Sequence, residues 1–219
     1  MKFQLLQKFF RGYLVLEKID SKINGEIEIK EDIFGRRRLL AGGISQSGHL
    51  VEKLWESVIK KVFSFKFSVK SCLILGLGAG SAAKVIHNYF PKADILGIEI
   101  DPLMIKLGKK YFDLAEIKNL EIKIADAISI ITNSQLPIPN YQLILIDLYL
   151  GDKVPREAET DEFIKNVKNC LHSSGIAIFN RLYYGSKKRS ADEFAIKLKQ
   201  IFSKVEPLRV SASIFFLCQ

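Results

Sequence analysis

Cysteine and histidine are scarce in this 219-residue chain. Cys72, Cys170 and Cys218, like His49, His87 and His172, lie far apart, with no Cys-x-x-Cys pair and no ligand spacing. That excludes a disulfide framework and a structural zinc, and it fits a reducing compartment in which each thiol is a small apolar filler. No low-complexity tract or internal repeat interrupts the chain. No apolar run approaches the roughly 18 residues of a membrane span. Lys8 and Arg11 break the N-terminal apolar stretch where a signal peptide would need its core. A soluble, cytoplasmic protein without a metal is the expectation.

What is present is globular: 48% hydrophobic and 26% charged residues, sufficient for a large core without staples. The net charge of +9 concentrates outside the middle third of the chain. A basic surface can attract nucleic acid or an acidic partner. The two basic clusters, Arg36 to Arg38 and Lys187 to Arg189, lack the interleaved aromatics of a base-stacking platform. They read as solvated charge, and no stable nucleic-acid binding is expected.

Three short strands are predicted at 13–19, 25–30 and 36–40, with Asn24-Gly25 as a two-residue hairpin turn. They make a small sheet that must pack on the remainder of the chain. Apolar residues from Leu50 to Val62 then recur at helical spacing and predict a helix over 48–63. Further on, strand and helix alternate. Strands are expected at 71–75, 94–99, 120–124, 142–147, 176–180, 205–210 and 213–217. Asp101-Pro102 supplies an N-cap and an N1 proline for one helix; Ser190 and Glu193 have the spacing of a capping box for the last. Ser211-Ala212 is too short a connection for anything but an antiparallel final pair. The fold class is therefore α/β: a Rossmann-like, doubly wound seven-stranded sheet with a C-terminal antiparallel hairpin, preceded by a small N-terminal β-sheet. The expected division is 1–46 for the small sheet, 47–70 for a linker helix and 71–219 for the main domain.

Chemistry concentrates at the carboxyl ends of the predicted parallel strands. Gly76-Leu77-Gly78-Ala79-Gly80 joins a buried strand to a helix, where glycines let a ligand approach the backbone. The third glycine comes one position earlier than in the dinucleotide-binding Gly-x-Gly-x-x-Gly. Glu99 closes the next strand, where a carboxylate accepts both hydroxyls of a ribose, with Ile100 beside it. Asp126-Ala127 comes after the third, where Asp126 can either meet an adenine amino group or cap a helix. Asp147 ends the apolar run Leu143 to Ile146 beside the glycine turn. It is placed to orient a cation or to take a proton, with Tyr149 as an aromatic wall or a hydroxyl.

The glycine turn, the acidic strand end, the Asp-Ala pair and the final hairpin together resemble the class I methyltransferase fold, which binds S-adenosylmethionine. Residues 21–56 are similar to the N-terminal sheet and linker helix of the spermidine synthase family, which transfers groups from an adenosyl sulfonium. Leu39-Leu40-Ala41-Gly42-Gly43-Ile44-Ser45-Gln46-Ser47 resembles that family's segment whose glutamine contacts the nucleoside. Glu56 falls in the place of the family's Tyr-His-Glu triplet, and Asp147 on its catalytic aspartate. Gly151 to Pro155, with Thr160, Glu162 and Phe163, is similar to the segment after that aspartate. There are departures. Ala79 stands where aminopropyltransferases carry an acid for the amino group of decarboxylated S-adenosylmethionine. Leu54 and Trp55 replace the Tyr and His, and the Asp-x-x-Asp-Pro element is absent. A polyamine needs carboxylates for its ammonium groups, and this chain has fewer.

The resemblance thus implies a transferase using S-adenosylmethionine, with Gln46, Gly76, Leu77, Gly78, Ala79, Gly80, Glu99, Ile100, Asp126 and Ala127 at the cofactor. Asp147 and Tyr149 would be catalytic, and methyl would pass to a small-molecule acceptor. One alternative is an aminopropyltransferase using decarboxylated S-adenosylmethionine, with Asp152, Glu52 or Glu56 replacing the missing amine ligands. Another is a non-catalytic adenosyl-nucleoside binder. A homodimer is implied by the same family, with the amphipathic residues 1–12 packing on the domain or on a second subunit.

Overall fold

The computed structural model describes residues 11–64, 68–133 and 140–219; the N-terminal residues 1–10, expected to pack on the domain or a second subunit, lie outside them. The chain opens with an antiparallel sheet of four strands in sequential order: β1 Tyr13–Ser21, β2 Gly25–Asp32, β3 Arg37–Ala41 and β4 Ile44–Gly48. The Asn24-Gly25 turn joins the first pair, with Ser21 opposite Gly25. The fourth strand was not expected. Its sequence, Ile-Ser-Gln-Ser-Gly, has no apolar alternation, and it is held by pairing with β3 and by bonds to the main domain. Helix α1, His49–Ser64, comes directly after it, and its buried Val51, Trp55, Val58, Ile59 and Val62 belong to the predicted stripe, whose Leu50 is exposed and whose Leu54 is half-buried.

The main sheet has seven strands in the order β10-β11-β9-β8-β5-β6-β7. Strands β5 Ser71–Leu75, β6 Asp94–Glu99, β7 Leu120–Ile124, β8 Tyr141–Ile146 and β9 Leu171–Leu182 pair in parallel; β10 Val205–Val210 and β11 Ser213–Cys218 form the antiparallel hairpin. The expected topology is therefore present, with β9 longer than predicted at both ends. One face of the sheet packs on α1 and α2 (Ser81–Tyr89), through Trp55, Ile59, Ala83, Ile86 and Phe215. The other packs on α4 (Ala127–Thr132), α5 (Asp161–Asn169) and α6 (Lys187–Ile201), through Ile130, Phe163, Phe179, Phe194 and Leu198. A third cluster seals the small sheet to α3 (Pro102–Tyr111): Ile27, Ile29 and Leu39 meet Ala79, Met104 and Leu107.

Asp101 does cap α3, accepting from Leu103 N at 2.9 Å, with Pro102 at the first helical position. It also accepts from Ser21 Oγ and from Asn24 Nδ2, the latter at 2.8 Å, so one buried carboxylate ties the β1–β2 turn to the main domain. The expected capping box at Ser190 and Glu193 does not form. Helix α6 begins one turn earlier, at Lys187 after Gly185-Ser186, and Glu193 pairs with Arg189 instead. The early start comes from a turn at Tyr184, whose carbonyl accepts from Lys187 N, together with the anchoring of the Lys187 side chain on Asp152.

Candidate active site

Strand β5 sits next to β8 and β6, so the loops leaving the three strands converge at one edge of the sheet. That is where ligands bind in open α/β sheets. After Leu75 the chain enters the glycine turn. Gly76 has φ 87°, and a Cβ there would lie 2.3 Å from the carbonyl oxygen of Asp147. At Gly80, with φ 98°, it would lie 2.4 Å from Leu114. Only glycine fits either position. The N–H groups of the turn are spent inside the fold. Gly76 and Leu77 donate to Ile98 O, Gly78 to Glu99 Oε2 at 2.7 Å, Ala79 to Ser47 Oγ at 3.0 Å and Gly80 to Leu77 O. The turn therefore offers a fixed, bare surface for close approach rather than a row of free donors.

Above it lies a cavity of about 390 Å³, a size that holds a small cofactor. Of the predicted cofactor contacts, Gln46, Gly76, Leu77, Gly78, Glu99, Ile100, Asp126 and Ala127 line it, and so do Asp147 and Tyr149. Ala79 and Gly80 do not. Ala79 is fully buried beneath the small sheet, against Ile27 and Met104, and Gly80 closes on Leu114. A carboxylate at position 79 would point into apolar packing.

Glu99 is 7% exposed; its Oε1 accepts from Asp101 N at 2.9 Å and its Oε2 from Gly78 N. Burial pushes its carboxyl above the ordinary range, against the pull of these N–H groups. Each oxygen keeps a lone pair for a hydroxyl in the cavity. Asp126 caps α4 through Ile128 N (3.0 Å) and takes a second bond from Ser129 Oγ, which is the helix-cap role weighed for it, and it also lines the cavity.

Asp147 stands where this cavity meets a second one, of about 510 Å³, which Gln46, Val51, Asp147 and Tyr149 share with the first. Desolvation raises its carboxyl above the usual range, while Asn180, the Trp55 indole and the charge of Arg181 pull it back. Asn180 Nδ2 donates to Asp147 Oδ1 at 2.8 Å, and its buried Oδ1 has no partner. The Tyr149 hydroxyl accepts from Leu182 N at 2.9 Å and donates to Asn180 O at 3.3 Å. It is thus occupied by the main chain, and Tyr149 presents its ring. Gln46 Nε2 donates to Gly151 O at 3.0 Å, tying β4 to the loop after Asp147.

Trp55 and Asn180 are the site residues that sequence reasoning missed. Trp55 carried a signal as the lone tryptophan on the stripe of α1; Asn180, inside β9, takes its place in the site only from the pairing of β9 with β8. Among the described residues no group of His, Cys, Asp or Glu is arranged to hold a metal, and no helix is long and apolar enough to cross a membrane.

A parallel sheet with a glycine turn, a strand-end glutamate and a closing antiparallel hairpin defines the class I methyltransferase fold. Residues 53–215 match the family model of the spermine/spermidine synthase domain, and the chain belongs to that family. Among curated proteins, it is 34% identical over 116 residues to the eEF1A lysine and N-terminal methyltransferase of Mus musculus, covering 49% of this chain and 16% of that protein. It is 32% identical over 108 residues to the polyamine aminopropyltransferase of Vibrio vulnificus, covering 49% and 36%. The chain thus spans well under half the length of these relatives. A probable spermidine synthase from Corynebacterium glutamicum superposes with a TM-score of 0.78 at 16% identity, over 93% of this chain and 79% of that one. Human methyltransferase-like protein 13 in complex with SAH gives 0.59 at 22% identity, over 78% and 79%.

Proposed function

We propose that this protein is a transferase that binds S-adenosylmethionine over the glycine turn and passes its methyl group to an acceptor held in the second cavity. The observation that carries methyl over aminopropyl transfer is the charge of that second cavity. Among the described residues its lining holds one carboxylate, Asp147, and one cation, Lys53. The three acids that would rescue polyamine binding are all engaged elsewhere. Glu52 pairs with Lys84 at 3.7 Å, Glu56 with Lys60 at 3.0 Å and Asp152 with Lys187 at 2.7 Å, and none lines this cavity. A polycation would find a single anionic partner there.

The residues present fit the adenosyl group: Glu99 directs free lone pairs to the place of a ribose diol, Asp126 is assigned to the purine end, and Gly76 and Gly78 give the cavity a floor without side chains. When bound, the sulfonium supplies the electrophilic carbon. Asp147 and the unpaired Asn180 Oδ1 accept N–H or O–H donors of the acceptor, which points its lone pair at the first cavity. Tyr149 walls the junction, and Trp55 excludes water beneath Asp147. The rate then comes largely from positioning, and Asp147, with its raised affinity for a proton, is suited to receive one.

The basic clusters do not favour nucleic acid. Arg36 pairs with Asp32, Arg37 with Glu31, Lys187 with Asp152 and Arg189 with Glu193. The cysteines Cys72, Cys170 and Cys218 are free, in keeping with a reducing, cytoplasmic setting. A homodimer is the assembly we expect from the family, and light scattering reads it directly. The reading is tested by incubating the protein with both sulfonium donors and a panel of amine and hydroxyl acceptors, then identifying the nucleoside product by mass spectrometry. S-adenosylhomocysteine marks methyl transfer; methylthioadenosine marks aminopropyl transfer and would overturn it.

A further inference from the structure

A third cavity, of about 260 Å³, lies behind Tyr149, between the loop after Asp147, the end of β9 and the start of α6. Its floor is Arg181, only 3% exposed. Strand β9 puts this side chain on the face opposite Asn180, where the guanidinium lies 3.9 Å from the Phe194 ring centroid. Nη1 donates to Asn180 O at 2.8 Å. Nε and Nη2 have no hydrogen-bond partner. Those two nitrogens form one in-plane edge of the guanidinium, the fork that takes a carboxylate or phosphate with two parallel bonds. A buried donor pair left unmet is costly and calls for a missing partner.

Among the described residues the nearest anion does not fill that need, although the edge is buried and an incoming oxyanion must displace that anion's carboxylate to reach it. Glu159 Oε1 stands 3.6 Å from Nε, within ion-pair range but beyond a hydrogen bond. Around the same cavity stand Lys153 and Arg156, both exposed and without a side-chain partner among the described residues, and Lys187, which Asp152 neutralises. The lining is therefore cationic on balance. Tyr149 and Leu182 line both this cavity and the acceptor cavity, so the two spaces share a wall.

We propose that this cavity is an oxyanion site, in which the Nε–Nη2 edge of Arg181 grips a carboxylate or phosphate of the acceptor while Lys153 and Arg156 draw it in. The assignment to the acceptor rests on the transferase reading above; the anion site itself does not. The acceptor is then a molecule with a nucleophile at Asp147 and an acidic group on the far side of Tyr149. This complements an acceptor cavity that offers little to a polycation.

The test monitors the Arg181 Nε–H resonance by NMR, assigned with Arg181→Lys, while inorganic phosphate or malonate is titrated at constant ionic strength. A saturable shift with one or both is expected, and the tighter of the two names the acidic group. Lys153→Ala with Arg156→Ala, at exposed positions that leave the fold intact, should weaken binding about five- to tenfold. Glu159→Gln should tighten it by removing the internal competitor. A purely structural Arg181–Glu159 pair predicts no saturation in any variant, and that result up to 50 mM of either probe, on the order of the weakest affinity a specific site would show, overturns the proposal. S-adenosylhomocysteine is titrated in parallel. Anion saturation without nucleoside binding would keep the site and remove the transferase reading; nucleoside binding without anion saturation would do the reverse.

Discussion

Replacing Glu99 by glutamine separates ligand binding at the glycine turn from folding. Both Glu99 oxygens already accept main-chain N–H groups, from Gly78 at 2.7 Å and Asp101 at 2.9 Å. The glutamine keeps one such acceptor and turns its NH2 toward the other N–H. The fold loses one hydrogen bond, worth about 1 kcal/mol, and leaves a donor unmet; it gains relief from burying a charge. The net change in stability should stay within about 2 kcal/mol. The nucleoside loses more, because a bond to an ionised acceptor contributes about 1.5–3 kcal/mol, so affinity should fall about 10- to 150-fold. Calorimetric titration with S-adenosylhomocysteine reads this without any knowledge of the acceptor. The pH dependence supplies a second check. Burial raises the Glu99 carboxyl pKa, so the folded state holds that proton more tightly than the unfolded chain. Its contribution to stability is therefore greatest in acid, declines as pH rises from the ordinary glutamate range through the raised value, and is level above it. Nucleoside binding needs the ionised form and changes in the opposite sense, weakening as pH falls through the raised value. Both trends should vanish in Glu99→Gln. An affinity unchanged within about twofold in a variant of native thermal stability would refute the role given to Glu99.

Gly76→Ala should destabilise the fold by at least about 2 kcal/mol in urea unfolding, from the positive φ and the clash with Asp147 O together. Ala79→Asp should lower stability by several kcal/mol, on the order expected for an unpaired buried carboxylate, and bring no gain in affinity for decarboxylated S-adenosylmethionine. Asn180→Ala removes a 2.8 Å bond to Asp147. The acid limb of the pH–activity profile should then move up by about one to two pH units; an unmoved limb means Asp147 does not set it. The Tyr149→Phe variant should retain turnover and lose stability, because the hydroxyl bonds main chain at Leu182 and Asn180; abolished turnover in a stable variant would make the hydroxyl catalytic.

The main sheet was legible because its central strands are buried on both faces and read as apolar runs bounded by glycine or acid. The strands Ser71–Leu75 and Asp94–Glu99 have the predicted bounds for that reason; the edge strand Leu120–Ile124 was legible instead from its alternation of apolar and charged residues. Strand β4 was hidden, since Ile44–Gly48 is small and polar and its partners are distant: Ser47 binds Ala79 N and Ser81 binds Gly48 N. The capping-box pattern at Ser190 misled because a turn at Tyr184, set by tertiary contacts, starts α6 earlier. Within the site, Glu99, Asp126 and Asp147 were visible as acids at strand ends. Asn180 and Arg181 were not, because their meaning depends on β9 lying next to β8, 33 residues away in sequence from Asp147 to Asn180. Asp101 was legible as a helix cap; its tie to Ser21 and Asn24 needed the fold.

The reading stands or falls on whether the first cavity is built for intact S-adenosylmethionine. Titration calorimetry with S-adenosylmethionine and with its decarboxylated form, in one buffer at one ionic strength, decides it. Tighter binding of the intact donor by about tenfold or more, about 1.4 kcal/mol, is the expected result. Tighter binding of the decarboxylated form would contradict it and make this member of the family an aminopropyltransferase.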